Sequence, residues 1–174
     1  VTLVPYLHAS DELKTKPTQH SVNKLREIGI DPDIIVCRAD KPLAKDIKNK
    51  IALFTSVPKE AVIDAPDAAS IYDVPLVLKK QGLDEQIMML LRLRSGRWDF
   101  EEWTDFTARL KASCGAAPVR VAIAGKYTKL KDSYKSLTEA VFHGAIANCV
   151  RAEFDYVDVE AEDFKERLGK ADGL

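Results

Sequence analysis

The segment with the clearest potential for chemistry is a basic stretch with the sequence LKTKPTQHS. Two lysines flank a threonine, a proline follows, and a predicted helix N-terminus capped by Thr18 comes next. Free backbone N–H groups and the positive end of a helix dipole attract anions, and lysines are strong point charges for phosphate. The stretch therefore suits a polyphosphate ligand, although a solvated loop before an ordinary helix has the same pattern. The residues of this predicted site are Lys14, Thr15, Lys16, Pro17, Thr18 and Gln19.

Two further cations stand beside apolar runs. Lys50 directly precedes Ile51–Phe54, so its alkyl stem could be buried while its charge faces a site, or it could be a surface lysine. Arg38 comes just after a predicted buried strand, and ligands in open α/β sheets bind outside the carboxyl ends of strands. Its position therefore favours Arg38 over an ordinary surface arginine as a ligand-binding residue.

The elements that must position these cations alternate between strand and helix. Short apolar runs predict strands, and the helix from Thr18 to a stop at Gly29 separates the first two, as in a parallel βαβ unit. Asp40 is the predicted cap of a second helix with an apolar stripe that ends at Phe54. Further helices are predicted from Pro75 to Gly82, over Asp84–Leu93 and Asp99–Lys111, from Asp132 or Ser133 to Asn148, and around Phe164 and Leu168. The predicted strands are Val1–Leu7, Asp33–Cys37, Ala61–Ala65, Val119–Ala124 and Val150–Val159.

Composition excludes several classes of function. The 174 residues carry a net charge of −1, which disfavours a strongly basic nucleic-acid binder. No run reaches the roughly 18 apolar residues of a membrane span. The three cysteines form no CxxC or His/Cys cluster, so no metal site is predicted. No GxxxxGK[ST] loop, GxGxxG turn or cysteine nucleophile motif is present, so no catalytic residue is predicted within the chain.

The order of motifs along the chain resembles the CTP synthase family. The resemblance covers essentially the whole sequence on both sides of a small, unperiodic stretch at Ser113–Pro118. It implies a parallel-sheet α/β (P-loop/Rossmann-like) synthetase domain at 1–97, a helical linker at 98–118, and the start of a class I glutamine amidotransferase-like α/β domain at 119–174. The chain would then be an internal portion of the family's protein. The segments that carry the resemblance are KTKPTQHS, KNKIALF, VPKEAVI, SIYDVPL, KKQGLD and VAIAGKYTKLKDSYKSLTEAVFHG.

The resemblance also implies an activity and its ligands. CTP synthase uses ATP, Mg²⁺ and glutamine (or ammonia) to convert UTP to CTP, and GTP is its effector. The family resemblance implies a cytoplasmic homotetramer, with no nucleic acid or membrane partner, and with magnesium ligands outside this chain. The 174-residue chain alone is expected to be inactive.

Site residues follow from the same resemblance. It assigns UTP and CTP to the segment from Lys14 to Gln19 together with Lys50, across a subunit interface. It assigns the adenine of ATP to Arg38, Asp67 and Ala68, and the GTP region to Lys126. Because Ala68 replaces a larger aliphatic residue, only a backbone contact carries over there.

Two other functions remain open at this point. One is a non-catalytic nucleotide-binding or oligomerisation module derived from the same family, because the phosphate loop and the glutaminase nucleophile are missing. The other is a related ATP-dependent α/β ligase of another substrate class. The resemblance of the second half to a glutaminase disfavours that ligase.

Overall fold

A computed structural model describes residues 1–94 and 99–174 of the chain. The chain divides into two units, Val1–Trp98 and Asp99–Leu174. The first contains β1 (Thr2–Leu3), β2 (Tyr6–Leu7), β3 (Glu12–Leu13), α1 (Lys16–Glu27), β4 (Ile35–Ala39), α2 (Lys45–Thr55), β5 (Val62–Pro66), α3 (Val74–Lys80) and α4 (Leu83–Leu90). The second contains α5 (Glu101–Ser113), β6 (Pro118–Gly125), α6 (Lys135–Ala147), β7 (Arg151–Asp158) and α7 (Phe164–Leu168). Trp98 and the predicted boundary between 97 and 98 lie outside the described residues.

The sheet of the first unit is parallel, with the strand order β1-β4-β5. The predicted parallel βαβ arrangement is therefore confirmed. Its central strand β4 has a short apolar sequence because helices and neighbouring strands bury it. The core side chains around it include Val4, Ile35, Cys37, Ile51 and Val62.

The predicted first strand, Val1–Leu7, is wrong as a single element. The N–H of Val4 still donates to the Arg38 carbonyl at 2.8 Å, but Pro5 has no N–H with which to continue the ladder. The chain leaves the sheet there, and β2 pairs with β3 in an antiparallel hairpin. This hairpin leads directly into the basic segment.

Helix α1 begins earlier than the sequence predicts. Thr15 is its N-cap residue, so the expectation that Thr18 caps the helix is wrong. Thr18 is fully buried instead, and its hydroxyl donates to the Leu3 carbonyl at 3.1 Å, which ties α1 to β1. The predicted stop is confirmed, because Gly29 follows the helix with a φ of +85°.

Helix α2 differs from its prediction in its first residue and in its apolar stripe. It begins at Lys45 rather than at the predicted cap Asp40. The prediction that Phe54 is the last residue of the apolar stripe is wrong, because the Phe54 residue is 56% exposed. Thr55 takes the buried position one turn after Ile51, and its hydroxyl donates to the Ile51 carbonyl at 2.7 Å.

The second unit is also an α/β arrangement. Strands β6 and β7 are parallel over their full length, and they match the predicted strands to within a residue or two. A short 3₁₀ turn at Lys131–Tyr134 precedes α6, so the helix begins at Lys135 rather than at Asp132 or Ser133. No helix in the described ranges is long and apolar enough to cross a membrane.

The three thiols should react very differently, because only Cys37 is buried. Burial, with the nearby Asp64 carboxylate, raises the pKa of Cys37 to about 11. We expect iodoacetamide at pH 8 to modify Cys114 and Cys149 while Cys37 reacts only after unfolding, since the thiolate is the nucleophile. Intact-mass spectrometry would measure this. Rapid modification of all three thiols in the native chain would contradict the buried position of Cys37.

The same thiol predicts a stability change at alkaline pH. An unfolded thiol loses its proton near pH 8.5, whereas folded Cys37 keeps its proton until about pH 11. Its contribution to stability is thus fully present below pH 8.5 and is lost as the pH rises towards 11. Urea titrations should show this loss in the wild type and a shallower one in Cys37→Ala. An equal fall of the free energy of unfolding with pH in both proteins would contradict this prediction.

Candidate functional site

A cavity of about 530 Å³ opens where β4 and β5 end. Arg38 from β4 and Asp67 after β5 provide its charged groups. Carboxyl ends of parallel strands are where open α/β sheets bind ligands, and the volume is in the range of small-molecule sites. Much of the remaining wall is apolar and consists of Pro66, Ala68, Ile71, Val74, Val77 and Leu78.

Arg38 is held at this cavity by the strand geometry. Its neighbours Cys37 and Ala39 are buried, so the alternation of side chains along β4 turns Arg38 outwards. Its guanidinium donates to the Ala65 carbonyl and, at 2.6 Å, to Asp67 Oδ1. Asp67 is itself fixed by its N–H, which donates to the Ala39 carbonyl at 3.1 Å.

The Arg38–Asp67 ion pair leaves donors for a ligand. A guanidinium has five N–H donors, and two of them are used here. The pair is about half exposed, and exposed ion pairs contribute only about 0–1 kcal/mol, so a ligand can displace it at little cost. With the apolar wall opposite, the cavity suits a flat ring that carries a polar edge. The structure thus brings Arg38, Asp67 and Ala68 together.

The basic segment divides into buried and accessible side chains. Thr15 is buried, and its hydroxyl accepts a hydrogen bond from Gln19 Nε2 at 3.1 Å. Thr18 is the buried anchor described above. Lys16 and Pro17 are exposed in the first turn of α1, and that turn contains no acidic residue. The accessible part of the predicted anion site is therefore the tip of the helix.

The remaining lysines occupy separate positions. Lys14 forms an ion pair with Glu12, which lies two residues earlier in the chain, in β3 of the hairpin. Lys50 is exposed on α2 and does not line the cavity at Arg38. In the second unit, Lys126 follows β6 and pairs with Glu160 at 2.7 Å. Lys14, like Lys50, is not among the residues that line the cavity at Arg38.

A buried polar cluster beside the cavity was missed in the sequence. Asp64 in β5 is buried, forms an ion pair with Lys48 of α2, and accepts from the Leu43 N–H at 3.3 Å. Gln81 completes the cluster by contacting both Asp64 and Lys48. The one available signal was an aspartate inside the otherwise apolar strand AVIDA.

The turn that carries Lys126 depends on a close approach at Gly125. A Cβ at Gly125 would overlap the Tyr134 hydroxyl oxygen and come within 3.1 Å of Tyr134 Cζ. The Tyr134 hydroxyl donates to the Lys126 carbonyl, and this hydrogen bond holds the tyrosine side chain next to Gly125. We expect Gly125→Ala to destabilise the chain by about 2 kcal/mol in urea titrations, a usual cost of overpacking.

A second substitution tests the cause of that loss. Tyr134→Phe removes the overlapping oxygen, so it should recover part of the stability lost in Gly125→Ala. A Gly125→Ala variant as stable as the wild type would contradict the close approach. If the stability losses of Gly125→Ala and Tyr134→Phe simply add in the double variant, the Tyr134 hydroxyl oxygen is not the cause of the loss in Gly125→Ala.

The fold and the cavity place the chain among mixed α/β proteins. It has small parallel sheets, and a ligand-sized cavity lies where the strands β4 and β5 end. The family model described as CTP synthase N-terminus matches residues 1–93. The chain belongs to the CTP synthase family.

Individual relatives support this assignment. The CTP synthase of Geotalea uraniireducens is 49% identical over 177 residues, which cover 100% of this chain and 33% of that protein. The CTP synthase of Geobacter sulfurreducens is 51% identical over 92% of this chain and 30% of its own length. That of Aquifex aeolicus is 51% identical over 95% of this chain and 31% of its length. The chain therefore spans about a third of the curated relatives it matches.

These matches correct the expectation that the chain is an internal portion of the family's protein. The segments KTKPTQHS to KKQGLD, which carry the resemblance in the first half of the chain, lie within the 93 residues that match the CTP synthase N-terminus. The alignment with the Geotalea protein also runs over the whole chain.

Proposed function

We propose that this chain provides nucleotide-binding surfaces for the ATP-dependent amination of UTP to CTP, with glutamine or ammonia as the nitrogen donor. The observation that carries the proposal is the cavity where Arg38, Asp67 and Ala68 meet at the ends of two parallel strands. Membership of the CTP synthase family supports the choice of reaction. In that reaction the uracil 4-oxygen is phosphorylated by ATP, and ammonia then displaces the phosphate.

The cavity at Arg38 is the proposed site for the adenine of ATP. The apolar wall contributed by α3 would cover one face of the ring, and the Arg38 guanidinium can stack on a ring or donate to its edge. The polar groups that Ala68 offers to a ligand are those of its backbone. ATP would bring its own Mg²⁺. Within residues 1–94 and 99–174, no group of three His, Cys, Asp or Glu side chains could hold a metal. The proposal places the magnesium ligands outside this chain.

The tip of α1 is the proposed site for the triphosphate of UTP or CTP. Lys16 is exposed beside the free N–H groups of the first turn, and Lys14 precedes it. Lys50 from α2 would join them in a site shared between subunits of a homotetramer. Thr15 and Thr18 would act by holding the tip in place, since their hydroxyls are engaged within the unit.

Family membership supports the remaining parts of the proposal. Residues 1–97 belong to a P-loop/Rossmann-like synthetase domain, 98–118 form a linker, and 119–174 belong to a class I glutamine amidotransferase-like domain. Lys126 lies in the region that responds to GTP. The protein works in the cytoplasm, binds no nucleic acid or membrane, and the 174-residue chain by itself has no ligase or glutaminase activity.

The pyrimidine site is tested by calorimetric titration of CTP into the chain. Lys16→Ala should weaken binding about tenfold, or about 1.5 kcal/mol, because a charged hydrogen bond to phosphate is lost. Lys24→Ala is the matched control, since Lys24 is an exposed lysine in the last turn of the same helix. Equal affinities for both variants would contradict the site, as would a wild type that binds no CTP.

An assembly module without catalysis is the second candidate. It is favoured by the exposed apolar side chains Leu53 and Phe54 on α2, beside Lys50. Sedimentation with and without CTP separates the two candidates, because a ligand shared between subunits stabilises the oligomer by mass action. If CTP increases the self-association of the chain while the whole protein has no ligase activity, the assembly module without catalysis is favoured.

A further inference from the structure

Gln81 makes a two-point contact with the backbone of β5. Its Nε2 donates to the Asp64 carbonyl at 2.6 Å, and its Oε1 accepts from the Asp64 N–H at 3.0 Å. Both backbone groups are therefore paired on the side of β5 away from β4, with which Asp64 is in register through Cys37. The side-chain amide takes the place that a residue of a further strand would occupy.

A buried ion pair fixes the amide in this position. Lys48 Nζ donates to Gln81 Oε1 at 2.9 Å and also forms an ion pair with the Asp64 carboxylate. The side chain of Asp64 is 9% exposed and that of Lys48 is 23% exposed. Because every group in this cluster has a partner, rotating the amide would leave buried donors and acceptors unsatisfied.

The contact joins two of the elements whose residues line the cavity. Asp64 directly precedes Ala65 and Pro66, which form the strand side of the cavity, whereas Gln81 directly follows α3, which forms the other side. Gln81 Nε2 also lies 3.4 Å from the carbonyl of Val77, whose side chain lines the cavity. Gln81 thus ties the C-terminal end of α3 to β5.

We propose that Gln81 is a positioning residue that sets the width of the cavity at Arg38 for the flat ring of an adenine nucleoside. Gln81 acts through the placement of α3 rather than by touching the ring. This inference rests on the proposed assignment of adenine to the cavity, and it adds a residue and a mechanism for ring selection.

The test uses adenosine, which needs no metal, and the variant Gln81→Met. Methionine is unbranched and of similar length but cannot donate to the Asp64 carbonyl. Calorimetry should give about a tenfold weaker adenosine affinity in Gln81→Met, because binding must then first order the α3 wall. Gln86→Met on α4 is the matched control and should bind adenosine like the wild type.

Hydrogen exchange separates positioning from general destabilisation. In Gln81→Met, amides of Val74–Lys80 should exchange faster while those of Lys16–Glu27 in α1 keep their wild-type rates. Gln81→Glu is a second variant that keeps the acceptor facing Lys48 and loses the donor. Its affinity for adenosine should lie between those of the wild type and Gln81→Met. Faster exchange in both helices of Gln81→Met would overturn the positioning role.

The remaining outcomes distinguish this inference from the proposed function. If the wild type binds adenosine and Gln81→Met binds it equally well, the role of Gln81 is overturned and the adenine site stands. If the wild type shows no saturable adenosine binding, the adenine site is overturned together with this inference.

Discussion

Lys48→Met is expected to lower the free energy of unfolding by about 3 kcal/mol, because it leaves the buried Asp64 carboxylate without its counter-charge. Breaking a buried ion pair by removing one partner usually costs about 3–5 kcal/mol. The lower figure applies because Lys48 keeps a fraction of its surface in contact with water. Urea titration followed by circular dichroism would measure the change.

Two further variants assign this loss to the ion pair. Lys45→Met removes an exposed lysine from the first turn of the same helix and should change stability by less than about 0.5 kcal/mol. Asp64→Asn combined with Lys48→Met should recover part of the loss, because a neutral amide needs no counter-charge. If Lys48→Met were no less stable than Lys45→Met, the buried pair would have no role in holding α2 against β5.

Arg38→Met is expected to weaken adenosine binding about a hundredfold, or about 3 kcal/mol. The substitution removes the guanidinium from the cavity and frees Asp67, so the ligand loses both a donor and an ordered rim. Methionine keeps the apolar stem, so the loss reports on the charged group. Asp67→Asn should cause a smaller loss, since the Ala65 carbonyl still holds the arginine.

The control for this prediction is Arg109→Met, which removes an exposed arginine from α5 in the other unit. Its adenosine affinity should equal that of the wild type. Calorimetry at several salt concentrations would also show whether the effect is general electrostatics, which salt screens, or a local contact. Equal affinities in Arg38→Met and Arg109→Met would contradict the assignment of adenine to this cavity.

Much of the fold could be predicted because local sequence signals agree with it. The apolar runs of β4 and β5 and the helix stop at Gly29 were found from the sequence. The errors occur where a contact distant in sequence decides the outcome. Pro5 divides the first predicted strand because the following residues pair with a hairpin partner, and Thr18 is buried because its hydroxyl contacts β1.

The candidate site was predictable to a similar extent. Arg38 follows from the rule that ligands bind at the carboxyl ends of parallel strands. The role of Gln81 could not be predicted, because its partners Asp64 and Lys48 lie 17 and 33 residues away in the sequence. The pairing of Lys14 with Glu12 depends on the hairpin, which the sequence did not indicate.

The most direct test of the central claim, that the cavity at Arg38 binds an adenine nucleoside, is methyl NMR of the chain during titration with adenosine. We expect saturable shifts of the methyl groups of Ile71, Val74, Val77 and Leu78, with no change at Val22 of α1 or Ile146 of α6. Unchanged cavity methyls at saturating adenosine, or shifts spread evenly over both units, would contradict it.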